Sequence, residues 1–193
     1  MTVNDFILGC ISKATCLYSQ GSQERITVAL SASMHAVDKD LSKFKPSNEV
    51  VAVPIILRLK IDLASAVDEA SKATVRLRDS DFASFLYSRN NDQLNHAPMD
   101  TFNSKKATAK IRKFEEDNIA FAFSNMAASQ QHQWSFSGKK TQWAAMTTAH
   151  VCTHISLVSL HDSIKLAISS KRDRFDGSRK LLDMIERIIV CDD

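Results

Sequence analysis

The chain has 193 residues, of which 44% are hydrophobic and 24% charged, so it can build one packed domain and is not a disordered chain. Its net charge of only +3 excludes a uniformly basic surface, so any contact with nucleic acid would have to come from a local cluster of cations. Only four glycines and three prolines interrupt it, which favours long helices over a sandwich of many short strands.

The first half of the chain reads mainly as helices. Apolar residues recur at helical spacing over 3–14, and a second helix over 22–44 begins at a serine that is a suitable N-cap. Residues 45–54 break this pattern with two prolines, and their Val-Val-Ala-Val run is a candidate extended segment. Helical spacing returns over 59–78, and a short helix is predicted within 79–86.

In the second half, polar breaks separate three further predicted helices. Residues 88–103 are rich in Asn and Asp and predict an exposed loop. Helices are predicted over 104–126, over 141–170 and from about 178 to the end of the chain. The sequence therefore predicts an all-α fold, an antiparallel helix bundle with a four-helix core plus additional helices.

We expect one helical-bundle domain over residues 1–193, in which the segment from about 127 is a candidate C-terminal extension. The four cysteines contain no CxxC pair, and we expect them to be reduced thiols. The most apolar stretch, 50–59, is far shorter than the roughly 20 residues that span a bilayer, so no membrane partner is expected.

A cluster of charged residues at 104–117 is the most informative local feature. At helical spacing its cations form ladders that suit successive phosphates of a polyanion, and the acids behind them would tune the affinity. The alternative is a solvated helix face of mixed charge, and the segment alone leaves both readings open. The cations are Lys105, Lys106, Lys110, Arg112 and Lys113, and the acids are Glu115, Glu116 and Asp117.

Three segments, in their order and approximate spacing, resemble the coat proteins of rod-shaped plant viruses of the tobamovirus type. They are Phe44–Val50, Tyr87–Asn90 and Ile111–Phe121. In addition, Arg172–Asp176 looks like the Arg-x-x-Phe-acid motif found near the end of such coat proteins. The resemblance implies a four-helix bundle that polymerises into a helical rod and packages single-stranded genomic RNA. It implies a structural protein of the virion and host cytoplasm, not an enzyme, whose partners are RNA and further copies of itself and which needs no cofactor.

Carried onto this chain, the resemblance makes Arg89, Arg112 and Lys113 candidate RNA contacts. The chain departs from the family where Asn91 stands in place of an expected second arginine, and where glutamates replace aspartates. Arg172 and Asp176 are candidates for a structural salt bridge.

Two other functional readings remain beside the coat protein. One is a small helical RNA-binding or regulatory module that does not assemble, for which the basic helix is only a solvated face. The other is a metal site, since His150, His154 and His161 would share one face of the 141–170 helix. A single straight helix cannot easily complete a zinc site, so packing in the core or at a subunit contact is the preferred role of these histidines. No nucleotide-binding loop and no hydrolase motif is present in the sequence.

Overall fold

The structure is a computed structural model that describes residues 1–33, 50–96, 109, 113–114, 117–127, 135–136, 139–140, 152–160, 163–170 and 177–191. Four helices and seven strands have bounds that lie within these residues. They are α1 (Val3–Tyr18), β1 (Arg25–Ser33), β2 (Val50–Arg58), α2 (Leu63–Arg78), α3 (Phe82–His96), β3 (Phe121–Ala127), β4 (Ser135–Phe136), β5 (Lys139–Lys140), β6 (Thr153–Leu160), β7 (Ser163–Ser169) and α4 (Ser178–Cys191).

The main sheet has five strands in the order β2-β1-β3-β6-β7, and β4 and β5 form a separate two-stranded ribbon. The three central strands β1, β3 and β6 run parallel to one another. The two outer strands run antiparallel to their neighbours, since β2 pairs with β1 and β7 pairs with β6. The sheet is therefore mixed, with a parallel centre and antiparallel edges.

Helices α1, α2 and α4 cover one face of this sheet, and the core lies between the two layers. Alternate residues of the strands point into it, so that Val28, Phe123 and Ile155 meet apolar side chains of the helices. Leu8 of α1 and Ile185 of α4 are fully buried there. Strand β6 and helix α4 thus contribute to the same core as α1.

Strand β2 shows why this sequence forms an edge strand. Its residues alternate between exposed and buried along their whole length, and Val51, Val53 and Leu57 are among the buried ones. Pro54 lies in its middle, opposite Ala29 of β1. Proline lacks an N–H for the ladder and is tolerated on an edge strand, which has one unpaired side.

Local contacts fix α1 at its start and against α2. Thr2 caps the helix by accepting a hydrogen bond from the Asp5 N–H at 3.2 Å, and the Asp5 carboxylate accepts one from the Thr2 N–H at 2.8 Å. The Thr74 hydroxyl of α2 donates to the same carboxylate at 2.6 Å. Further along α1, Gly9 lies so close to Val67 of α2 that a Cβ atom built there would be 2.5 Å from the Val67 Cγ2 atom.

The prediction of an all-α bundle is wrong, because a five-stranded sheet forms the centre of the molecule. The predicted helix over 22–44 begins instead as β1, and its residues beyond 33 lie outside the described ones. The predicted helix over 141–170 contains β6 and β7. Residues four apart share one face of a strand as well as one face of a helix, so the apolar spacing at these places fitted both.

Several of the other predicted elements are confirmed, and others are wrong. The helices over 3–14 and 59–78 and the last helix are confirmed as α1, α2 and α4, and the extended run near 50–53 is confirmed as part of β2. The loop prediction is wrong over 88–96, which continues α3. The predicted helix over 104–126 has helical residues at 109, 113–114 and 117–118, but it has ended where β3 begins at Phe121. No helix among the described residues is long and apolar enough to span a bilayer.

Candidate functional site

Three polar side chains form a hydrogen-bonded row across the three central strands. The Ser31 hydroxyl of β1 lies 3.0 Å from the Ser124 hydroxyl of β3. The Ser124 hydroxyl in turn lies 2.8 Å from Nε2 of His154 on β6. We call Ser31, Ser124 and His154 the serine–histidine row.

The row lies on the sheet face opposite the helices. In each strand the neighbouring residue belongs to the helix-packed core, as Leu30, Phe123 and Ile155 do, and successive side chains of a strand point to opposite faces. This is the face on which Ala29, Ala122 and Cys152 form a second, smaller apolar cluster.

Parallel register brings the three side chains together. Leu30 pairs with Phe123, which places Ser31 beside Ser124 on the next position of each strand. His154 pairs with Ala122, two residues before Ser124. Because Ala122 carries only a methyl group, the imidazole has room to reach diagonally along the sheet to the Ser124 hydroxyl.

Burial changes sharply along the row. His154 is only 1% exposed, Ser124 is half-buried, and Ser31 is exposed. Ser156, the next residue of β6 on the same face, is 2% exposed. An imidazole screened from water is thus connected through two hydroxyl groups to the surface.

The chemistry of the row follows from what its groups can donate and accept. A serine hydroxyl both donates and accepts hydrogen bonds, and a neutral imidazole has one donor and one acceptor nitrogen. When Nε2 is the acceptor, Ser124 donates to His154 and Ser31 donates to Ser124, so that both hydroxyls are polarised toward the imidazole. Such a row can move a proton between the surface and a buried base.

The predicted nucleic-acid contacts lie elsewhere. Arg89 is exposed on α3. Lys113 forms an exposed ion pair at 3.1 Å with Asp117, four residues further along the chain, and exposed pairs of this kind contribute little to stability. Both residues remain predictions as RNA contacts. Outside the described residues are Lys105, Lys106, Lys110, Arg112, Glu115, Glu116, Arg172 and Asp176.

Of the predicted histidine face, the structure describes His154, which lies on strand β6 and not on a helix as predicted. His150 and His161 lie outside the described residues. Across the part of the chain that the structure describes, no group of three or more His, Cys, Asp or Glu side chains is placed to hold a metal ion. All four cysteines are reduced thiols, as expected.

Ser31 and Ser124 were missed by sequence reasoning. They are separated from each other by 93 positions, and Ser124 is 30 positions from His154, so no local spacing connects them. The available signal was alternation: Ile26, Val28 and Leu30 repeat every second residue before Ser31, as in a strand with one buried face.

No protein-family model and no curated protein sequence matches the chain. Several solved structures do match in fold. The starter condensation domain of rhizomide synthetase has a TM-score of 0.56 at 9% identity, over 97% of this chain and 42% of that one. The epimerization domain from the third module of tyrocidine synthetase B has a TM-score of 0.53 at 14% identity, over 98% of this chain and 43% of that one.

A third match is the wax ester synthase/diacylglycerol acyltransferase from Marinobacter aquaeolei VT8, with a TM-score of 0.54 at 12% identity. It covers 98% of this chain and 42% of the acyltransferase. The chain thus spans about two fifths of the length of the structures it matches. At these identities the likeness establishes the fold.

These matches overturn the tobamovirus resemblance, and with it the function as a coat protein and the location in a virion, since the structural neighbours are synthetase domains and an acyltransferase. The alternative of a small helical RNA-binding module has no support in them either. Single-stranded RNA and further copies of the chain as partners remain untested predictions. The chain has the mixed α/β fold shared by condensation domains and this acyltransferase.

Proposed function

We propose that this chain is part of an acyl-transfer enzyme, with the serine–histidine row as its proton-transfer element. The proposal is supported by the fold, which nearly the whole chain shares with proteins named as condensation domains and an acyltransferase. The observation that carries it is the 2.8 Å hydrogen bond between Ser124 and the buried imidazole of His154, connected to the surface through Ser31.

Acyl transfer needs a group that accepts a proton. As the acceptor amine or alcohol attacks the acyl carbonyl carbon, a new C–N or C–O bond forms and the acceptor loses a proton. In our proposal this proton passes to the Ser31 hydroxyl, while the hydroxyl protons of Ser31 and Ser124 each move one step toward Nε2 of His154. The proton returns to the leaving thiolate or alkoxide as its bond to the acyl carbon breaks.

The test is acyl transfer by the purified chain. The chain is incubated with short and long acyl thioesters of N-acetylcysteamine together with primary amines or alcohols, and new amide or ester is quantified by mass spectrometry. We expect product from the unmodified chain and a rate about 100-fold lower in Ser124→Ala, since positioned proton transfer is typically worth about 10²–10⁴ in rate.

A matched control is Ser71→Ala, which removes a hydroxyl from α2 on the helix side of the molecule. Its rate should equal that of the unmodified chain. Circular dichroism of both variants shows whether the fold is kept. The proposal is wrong if no donor and acceptor pair gives product, or if Ser124→Ala and Ser71→Ala react equally fast.

A further inference from the structure

Two arginines face each other where the β1–β2 ladder ends. Arg25 of β1 pairs directly with Arg58 of β2 in antiparallel register, so their side chains leave the same face of the sheet. Like charges directly opposite on an antiparallel pair repel and destabilise it. Both side chains are exposed, and among the described residues no carboxylate forms an ion pair with either.

Helix α2 adds further cations beside this pair. A cavity of about 390 Å³ lies between the two strands and α2. Its charged lining consists of Arg25, Arg58, Lys72 and Arg76 against the single carboxylate of Glu69. We call the cavity with these four cations in its lining the arginine groove.

A second cavity, of about 680 Å³, shares Arg25 and Arg58 with the first. Lys60 adds a cation there and Glu24 a carboxylate. The two arginines therefore stand between two adjoining spaces, and cations outnumber carboxylates in both.

Not every cation of the groove is equally available. Lys72 forms an ion pair with Asp68 at 2.5 Å, one turn back on α2. Arg76 has no such partner among the described residues. Three guanidinium groups, from β1, β2 and α2, thus line one space with little to balance their charge.

We propose that the arginine groove binds the phosphate group of a soluble phosphate compound. A guanidinium presents its N–H groups in one plane, and two of them can bind two phosphate oxygens at once. Two guanidinium groups from neighbouring strands can therefore hold one phosphate between them. A phosphate dianion there replaces the repulsion between Arg25 and Arg58 by attraction to both. Because two cavities meet at this pair, a diphosphate has space for one phosphoryl group in each.

This site is separate from the serine–histidine row. Arg25 and Ser31 lie on the same strand six residues apart, which is about 20 Å at the usual rise of a β-strand. The inference does not rest on acyl transfer, and its test requires no acyl donor.

The test is isothermal titration calorimetry of the full chain with sodium pyrophosphate and with inorganic phosphate in buffered 100 mM NaCl. We expect saturable binding of one pyrophosphate, tighter than that of inorganic phosphate. Arg25→Gln and Arg58→Gln should each weaken pyrophosphate binding at least about tenfold, as expected for the loss of a charged hydrogen-bonding fork.

The matched control is Arg187→Gln, which removes the same charge from the exposed side of α4. Its pyrophosphate affinity should be unchanged. Thermal unfolding without pyrophosphate checks the fold of the variants, and Arg58→Gln should melt no lower than the unmodified chain because the variant removes a repulsion. With pyrophosphate the order reverses, since only a chain that binds it is stabilised.

Three results would overturn the inference. The first is the absence of saturable pyrophosphate binding. The second is equal binding by Arg58→Gln and Arg187→Gln, which would mean that only net charge matters. The third is retention of the chain on vesicles that contain phosphatidic acid with no binding of soluble phosphates, which would make the groove a membrane contact.

Discussion

Replacing Gly9 with alanine tests the packing of α1 against α2. The three atoms nearest to the new Cβ would be the Val67 Cγ2 atom at 2.5 Å and the Val67 Cα and N atoms, both at 2.9 Å. Ordinary contacts begin near 3.4 Å, so the two helices would have to separate by roughly 0.5 Å or more. Overpacking of this kind costs about 1–3 kcal/mol, and the better helix propensity of alanine returns about 1 kcal/mol.

Backbone atoms of Val67 cannot move aside as a side chain can, so we take the upper part of this range, about 2–3 kcal/mol, as the cost of the contact. We therefore expect Gly9→Ala to lower the free energy of unfolding by about 1–2 kcal/mol, measured by urea denaturation at 25 °C. Two of the three close atoms belong to the backbone of Val67, so adding Val67→Ala should not restore the stability of the chain. Gly177→Ala is the control, because the three atoms nearest to its new Cβ all belong to the Tyr18 side chain, which can rotate away. A Gly9→Ala variant as stable as the unmodified chain would refute this account of the helix contact.

Two further variants probe the core and the start of α1. Burial, the largest single influence, raises the pKa of Asp5, but hydrogen bonds from Thr74 and Thr2 outweigh it, so this pKa lies below its ordinary value. The ionised carboxylate therefore contributes stability above about pH 4, which is lost as the pH falls through the pKa in the folded protein. Asp5→Asn should thus cost about 1–2 kcal/mol at pH 7, and urea unfolding at pH 7 and pH 3 should show the difference shrinking in acid; a constant difference would contradict this. Leu157→Ala removes a side chain with no exposed surface from the central strand β6, and it should cost about 2–5 kcal/mol in the same assay; a loss below 1 kcal/mol would mean that β6 is not central to the core.

The elements that the sequence predicted well are those whose pattern has only one reading. Helix α4 repeats apolar residues at Leu181, Ile185 and Ile188, and these three are buried. Strand β6 has two readings, because His150 and His154 are four positions apart and would share a face in either element. Its Thr-His-Ile-Ser-Leu-Val-Ser-Leu run alternates polar and apolar residues over most of its length, which is the pattern of a strand. The scarcity of glycine and proline in the whole chain, by contrast, favours helices.

The candidate site could not be predicted from local sequence patterns, for a different reason. Ser31, Ser124 and His154 meet only because three parallel strands align, and the register of parallel strands depends on long connections that carry no local signal. A pairing of β3 shifted by one residue would turn Ser124 into the core and break both hydrogen bonds. The hydrogen bonds between these side chains therefore depend on the order and register of the strands.

The central pairing also determines when the molecule can fold during its synthesis. α1, β1, β2 and α2 follow one another along the chain and pack together, so this unit can form early. The next strand of the sheet, β3, begins 63 residues after the end of β2, which takes about 3–12 s of translation at usual rates. For that time the inner edge of β1 has unpaired backbone groups and its Val28 and Leu30 lack their neighbours from β3. During this time a nascent chain can mispair along the inner edge of β1, the strand that contains Ser31.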